Sequence, residues 1–156
     1  MLVKQTGFTF IELIISLVLI GLLASVVIPI NNLASRQSKE RELKQALIQI
    51  RTAIDEYKLA SDKNEIPLKY RTRSGYPPNL IVLTGIPIEN TNKIRRFLRK
   101  IPADPFVDNK NLSPEKTWGI RSFLSEINEP KSGDDVYDVY SLSNQKGSNG
   151  VMYRDW

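Results

Sequence analysis

The chain has no cysteine and no histidine among its 156 residues. That excludes a disulfide framework, a thiol nucleophile, and imidazole acid–base or metal chemistry. Charge is also missing where it matters most. From Leu13 to Ser35 there is no Asp, Glu, Lys or Arg, so this stretch cannot be a solvated surface helix. Elsewhere charge is plentiful but mixed, 22 basic against 17 acidic side chains for a net +5. So mild a surplus, with no aromatic platform interleaved, gives no footprint for nucleic acid, and none is expected as a partner. The acidic pairs Asp134/Asp135 and Glu126/Glu129 sit in turn-like sequence. No nucleophile or glycine-rich phosphate loop completes a site around them, so no catalytic residues are expected.

What is present begins at the start of the chain. A short leader carrying Lys4 ends at Gly7, and Phe8 opens the apolar run FTFIELIISLVLIGLLASVVIPI to Ile30. At about 1.5 Å per residue this run is long enough to cross a hydrocarbon core of about 30 Å. It is longer than the apolar part of a secretory signal peptide, and helix-forming sequence follows it instead of a cleavage site. Lys4 on the cytoplasmic side places the rest of the chain outside the inner membrane. Glu12 stands alone at the head of this run, where a carboxylate at the centre of a span costs roughly 2.5–3.5 kcal/mol. It therefore needs a positive partner or a headgroup interface.

Lys4-Gln-Thr-Gly7-Phe8-Thr-Phe-Ile-Glu12-Leu resembles the processing site of type IV pilin-like proteins, which include the pseudopilins of type II secretion. The resemblance implies that a prepilin peptidase cuts between Gly7 and Phe8 and methylates the new amine of Phe8. It also implies that Glu12 meets such an amine, on its own helix face or on a neighbouring subunit, and so sets filament register. Glycine suits the cut because it offers no side chain and its backbone is easily drawn from a helix. Pro29, which removes a helical hydrogen bond, falls at the mature position where such proteins have a helix hinge.

Beyond the span, Leu33, Leu43, Ala46, Leu47, Ile50, Ala53, Ile54 and Tyr57 recur at spacings of mostly three and four. They form one apolar stripe, with the mixed charges of 39–44 on the other faces. The spacing predicts one helix of roughly 50 residues. After Ser61, prolines and glycine give turns. Short helices are expected at Asn79–Thr84, capped by Asn79, and at Asn92–Lys100, capped by Asn92 or Thr91. The second would carry Arg95, Arg96, Arg99 and Lys100 as a solvated basic face or a rim of subunit contacts. Strands are expected at 117–124, 136–141 and 151–153.

The fold class expected is α+β and pilin-like, with three antiparallel strands packed on the amphipathic half of the helix. The organisation expected is a cleaved leader at 1–7, a membrane half-helix at 8–30, an amphipathic half at 31–60, and a head at 61–156.

The head adds its own resemblance. Leu98-Arg-Lys-Ile-Pro-Ala-Asp104-Pro-Phe, Trp118-Gly-Ile-Arg-Ser, Asp135-Val-Tyr-Asp-Val-Tyr-Ser141 and Tyr153-Arg-Asp-Trp156 are similar to the major, G-type pseudopilins. Membership implies a structural subunit of a periplasmic filament that helps drive protein export. Its partners would be prepilin peptidase, copies of itself and other pseudopilins, and an inner-membrane assembly platform. Two other readings stand beside it: a pilin or competence pseudopilin forming a surface fibre, and a membrane-tethered binding module that never polymerises. G-type pseudopilins commonly bind calcium in the C-terminal loop through aspartates and carbonyls. In this chain Asn144 and Asn149 stand where aspartates are expected, Lys146 adds a positive charge, and only Asp155 is anionic. The expectation is therefore no metal and no cofactor.

Overall fold

Phe10 to Asp62 form a single 53-residue helix, α1. The computed structural model describes residues 7–88, 92–107, 111–126 and 129–156, and the side chains of 24–32 lie outside that description. The chain divides into two compact units, Met1–Ser38 and Lys39–Trp156.

In the first unit, α1 presents an apolar surface from its first turn. Phe8, Phe10, Leu17, Ile20 and Leu23 are each more than 60% exposed. Among the described residues no helix is long and apolar enough to cross a membrane. The end of the apolar run, from 24 on, carries side chains outside the described residues. Helix α1 continues through position 29, while the Pro29 side chain, like leader residues 1–6, lies outside them.

The second unit is built on the predicted stripe. Leu43, Ala46, Leu47, Ile50, Ala53, Ile54 and Tyr57 are all buried, and Ala60 extends them by one turn. Leu33, read as the start of the stripe, is exposed instead. A stripe residue is buried only where another element covers it, and Leu33 belongs to the first unit. The core that covers the rest comes from Leu80, Leu83 and Ile86, then Trp118, Val136, Val139 and Tyr153.

The elements opposite α1 are short. Leu80–Thr84 is a 3-10 turn capped as expected, the Asn79 side chain accepting from the Val82 N–H at 3.2 Å. Strands β1 (Ile86–Pro87) and β2 (Ile94–Arg95) pair antiparallel, with Ile86 opposite Arg95. This corrects the helix expected over 92–100. Asn92 caps nothing helical there, and Thr91 lies outside the described residues. Pairing with β1 outweighed a local pattern too short to nucleate a helix unaided.

Strands β3 (Trp118–Arg121) and β4 (Asp138–Ser141) form a second antiparallel pair, with Trp118 opposite Ser141 and Gly119 opposite Tyr140. The Tyr140 ring lies so close over Gly119 that an added Cβ would sit 2.3 Å from it. The third strand expected at 151–153 is absent. Met152 makes one isolated bridge to Lys146, and Tyr153–Asp155 turn into a 3-10 helix. The fold is thus α+β, a long helix with two small antiparallel sheets in place of one three-stranded sheet.

Buried Asp104 and Asp135 fasten loops of the second unit. Asp104, 2% exposed, accepts from the Phe106 N–H at 2.8 Å and from the Ser141 hydroxyl at 2.5 Å. It is the turn initiator that Asp-Pro predicts. Asp135 accepts from the Ser74 and Ser122 hydroxyls and from the Phe123 N–H. Burial alone would raise its pKa, but these donors to the charged form prevail and hold it below the ordinary aspartate value.

Candidate assembly site at the head of helix 1

Gly7 and Phe8 lie ahead of the first helical turn, both exposed. A Cβ added at Gly7 would meet nothing within 4 Å, so packing among the described residues does not require glycine at that position.

Thr9 and Glu12 form a reciprocal cap. The Thr9 N–H and the Thr9 hydroxyl both donate to Glu12 Oε2 at 3.0 Å, and the Glu12 N–H faces Thr9 Oγ1 at 3.4 Å. This is the capping-box arrangement Thr-x-x-Glu, which satisfies N–H groups that the first turn of a helix leaves without partners. A carboxylate there is also favoured by the helix macrodipole. One turn further on, the Ser16 hydroxyl donates to the Glu12 carbonyl at 2.7 Å. Thr-x-x-Glu before an apolar run is itself a legible capping signal, and it gives Glu12 a partner in Thr9 besides an amine or a headgroup interface.

The geometry also refines the pairing expected of Phe8. With α1 starting at Phe10, Phe8 is outside the helix, so its nitrogen is not placed on the Glu12 face one turn back. With the leader attached, that nitrogen is an uncharged peptide N–H, and Thr9 serves the carboxylate instead. Cleavage between Gly7 and Phe8 would turn the nitrogen into a cation one residue before the Thr9 N–H of a preformed cap.

The other candidates are placed as follows. Arg95 pairs with Glu65 at 2.6 Å and lies over the Phe97 ring, 5.4 Å from its centroid, which is structural work on β2. Asp135 is the buried member of its acidic pair, and Asp134 is exposed. Among the described residues no three His, Cys, Asp or Glu side chains are grouped to hold a metal.

The family model described as "Prokaryotic N-terminal methylation motif" matches residues 2–28, the stretch that holds Gly7, Phe8 and Glu12. Curated relatives match far more. "Type II secretion system core protein G" of Vibrio cholerae serotype O1 is 31% identical over 140 residues, covering 84% of this chain and 86% of that protein. The chain belongs to the type II secretion system core protein G family. The protein of that name from Pseudomonas aeruginosa is 35% identical over 104 residues, 66% of this chain and 69% of its own. The one from Klebsiella pneumoniae is 29% identical over 136 residues, 85% and 93%. No solved structure matches the chain. The resemblance to G-type pseudopilins drawn from the processing site and the head motifs is borne out over most of the sequence. Core protein G membership agrees with the fold: a long helix whose first part has an apolar exterior, and a small α+β unit built on the rest.

Proposed function

We propose that this chain is a pseudopilin subunit that polymerises into the periplasmic pseudopilus of a type II secretion system and helps drive protein export. Prepilin peptidase removes residues 1–7, and the freed amine of Phe8 is methylated. Residues 8–30 hold the subunit in the inner membrane with the head in the periplasm, until an assembly platform adds it to copies of itself and to other pseudopilins. The role is structural, not catalytic.

The observation that carries this reading is the Glu12 carboxylate at the head of a helix whose apolar side chains are exposed along its described part, from Phe10 to Leu23. Packed against like helices, that surface becomes the core of a filament, and the only anion within it is Glu12. In such a core an unpaired charge is costly and a paired one fixes register. The Phe8 amine of a neighbouring subunit supplies the partner, and Pro29, without an N–H to give, is where the helix yields as subunits pack.

The test is Glu12→Ala in cells that overexpress the chain. Membrane insertion and leader cleavage stay normal while filaments disappear from electron micrographs and self-crosslinks through α1 are lost. Normal polymerisation by that variant would sink the register argument. Gly7→Phe is expected to accumulate a species retaining the leader. Long fibres outside the cell would favour the surface-fibre reading, and a monomer at native abundance the tethered module.

A further inference from the structure

Calcium takes six to eight oxygen ligands, with carboxylates supplying most of the charge. The segment 141–156 has one carboxylate side chain, Asp155, which is exposed and 3.8 Å from Arg154. Two of its other side-chain oxygens are engaged within the chain. Asn149 Oδ1 accepts from the Val151 N–H at 3.1 Å, and the Ser141 hydroxyl donates to Asp104. Lys146 adds an ammonium to the same loop. These residues do not fit a calcium site.

The loop is nevertheless closely organised. The Gly147 N–H donates to the Val151 carbonyl at 2.7 Å, the Gly150 N–H to the Gly147 carbonyl at 3.0 Å, and the Tyr153 N–H to the Gln145 carbonyl at 3.0 Å. Gly147 is pressed against the Trp156 ring, where an added Cβ would sit 2.3 Å from it. The folded-back loop presents donors toward α1, and one acidic side chain there receives them. Glu40 Oε1 accepts from the Ser148 N–H and the Tyr153 hydroxyl, each at 2.9 Å, and Oε2 from the Ser148 hydroxyl at 2.6 Å. Glu40 is only 6% exposed. It occupies the buried stripe, three residues before Leu43 and seven before Leu47, where an apolar side chain is the rule. A buried carboxylate is tolerated when charge-assisted donors satisfy it.

We infer that Glu40 is an anionic clamp that fastens residues 144–155 to α1, so that this loop is ordered by an internal carboxylate and not by a bound cation. The polarity is the reverse of a calcium site: the anion is fixed on the helix and the loop contributes the donors. Because three donors converge from two points five residues apart, Ser148 and Tyr153, the clamp restrains the whole turn between them. The inference rests on the fold of the second unit and not on the filament reading, since a chain that never polymerised would carry the same clamp.

Amide hydrogen exchange of the full chain in detergent tests it, with chelator or millimolar calcium. The wild type is expected to exchange at 145–153 at the same rate in both conditions. Glu40→Gln keeps the shape but turns an amide NH2 toward donors, and accelerates exchange there about tenfold. Ser148→Ala, which leaves Glu40 and the Tyr153 contact in place, accelerates it by a smaller factor, about threefold, while α1 amides at 43–57 stay protected. Tenfold slowing of wild-type exchange by calcium would overturn the inference, as would unchanged exchange in the variants. Should Glu40→Gln fail to fold, Ser148→Ala alone decides, and loss of the loop's protection with α1 intact is the supporting result.

Discussion

Arg51 Nε on α1 lies 2.8 Å from Asp138 Oδ1 at the start of β4. The same guanidinium donates from Nη2 to the Val139 carbonyl at 3.2 Å and to the Trp156 carbonyl at 2.8 Å. One planar fork thus ties the helix, the strand and the last residue together. The side chains are 37% and 26% exposed, so the Coulombic share is small. The larger loss on substitution comes from carbonyls left without a donor. Arg51→Lys is expected to cost about 1–2 kcal/mol, because a lysine cannot reproduce the fork. Thermal melting of the full chain checks this, with a drop of about 3–6 °C expected.

The Thr9–Glu12 cap predicts an effect confined to the first turn. Thr9→Val keeps the shape and removes the hydroxyl, which costs about 1 kcal/mol at an N-cap. Exchange of the amides at 10–13 should rise about fivefold, with no change in the melting of the second unit. Thr9→Ser should behave as wild type.

Tyr57 predicts an alkaline limb. Its ring is fully buried and its hydroxyl donates to the Tyr70 carbonyl. Burial pushes its pKa up to about 12, with Arg71 opposing weakly. The folded value is above the ordinary 10, so its contribution to stability is complete below pH 10 and is lost as pH rises toward 12. Two pH units correspond to about 2–3 kcal/mol. Tyr57→Phe should remove that slope, at a cost near neutrality of about 1 kcal/mol for the lost hydrogen bond. Denaturant titrations of both proteins between pH 9 and pH 12 (about one-unit steps suffice) make the comparison.

Asp135 predicts the acid limb. Its folded pKa is depressed, so the stability it confers is present above the ordinary aspartate value and disappears as pH falls below it. Asp135→Asn should flatten that fall and lower stability at neutral pH by about 1–2 kcal/mol, since an amide NH2 then replaces one of the two oxygens that accept separately from the Ser74 and Ser122 hydroxyls. An acid limb as steep in the variant as in the wild type would assign the effect elsewhere.

The elements read correctly from sequence are those whose determinants are local. The α1 stripe from Leu43 to Tyr57 repeats with the helix period, Asn79 caps the turn it precedes, and Asp104 starts the turn its Pro105 announces. The errors lie where a distant segment decides. Residues 92–100 have a helical look, but Ile94 and Arg95 pair with β1. Residues 151–153 have strand composition, but the loop before them folds back and leaves a single bridge. Glu40 is hidden in a run of mixed charges with the look of a polar face, although its spacing from Leu43 and Leu47 puts it on the buried stripe.

The sequence alone determined the long helix, the uncharged run, the place of Gly7–Phe8 and Glu12, and the absence of cysteine and histidine chemistry. All of these follow from residue type and near-neighbour spacing. Tertiary structure alone decided which charges are buried and what satisfies them. Glu40 with Ser148 and Tyr153, and Arg51 with Asp138 and Trp156, join residues about a hundred positions apart. The physical reason is that a buried charge persists only if the chain brings donors or acceptors to it, and which segment does so is fixed by packing and not by local pattern.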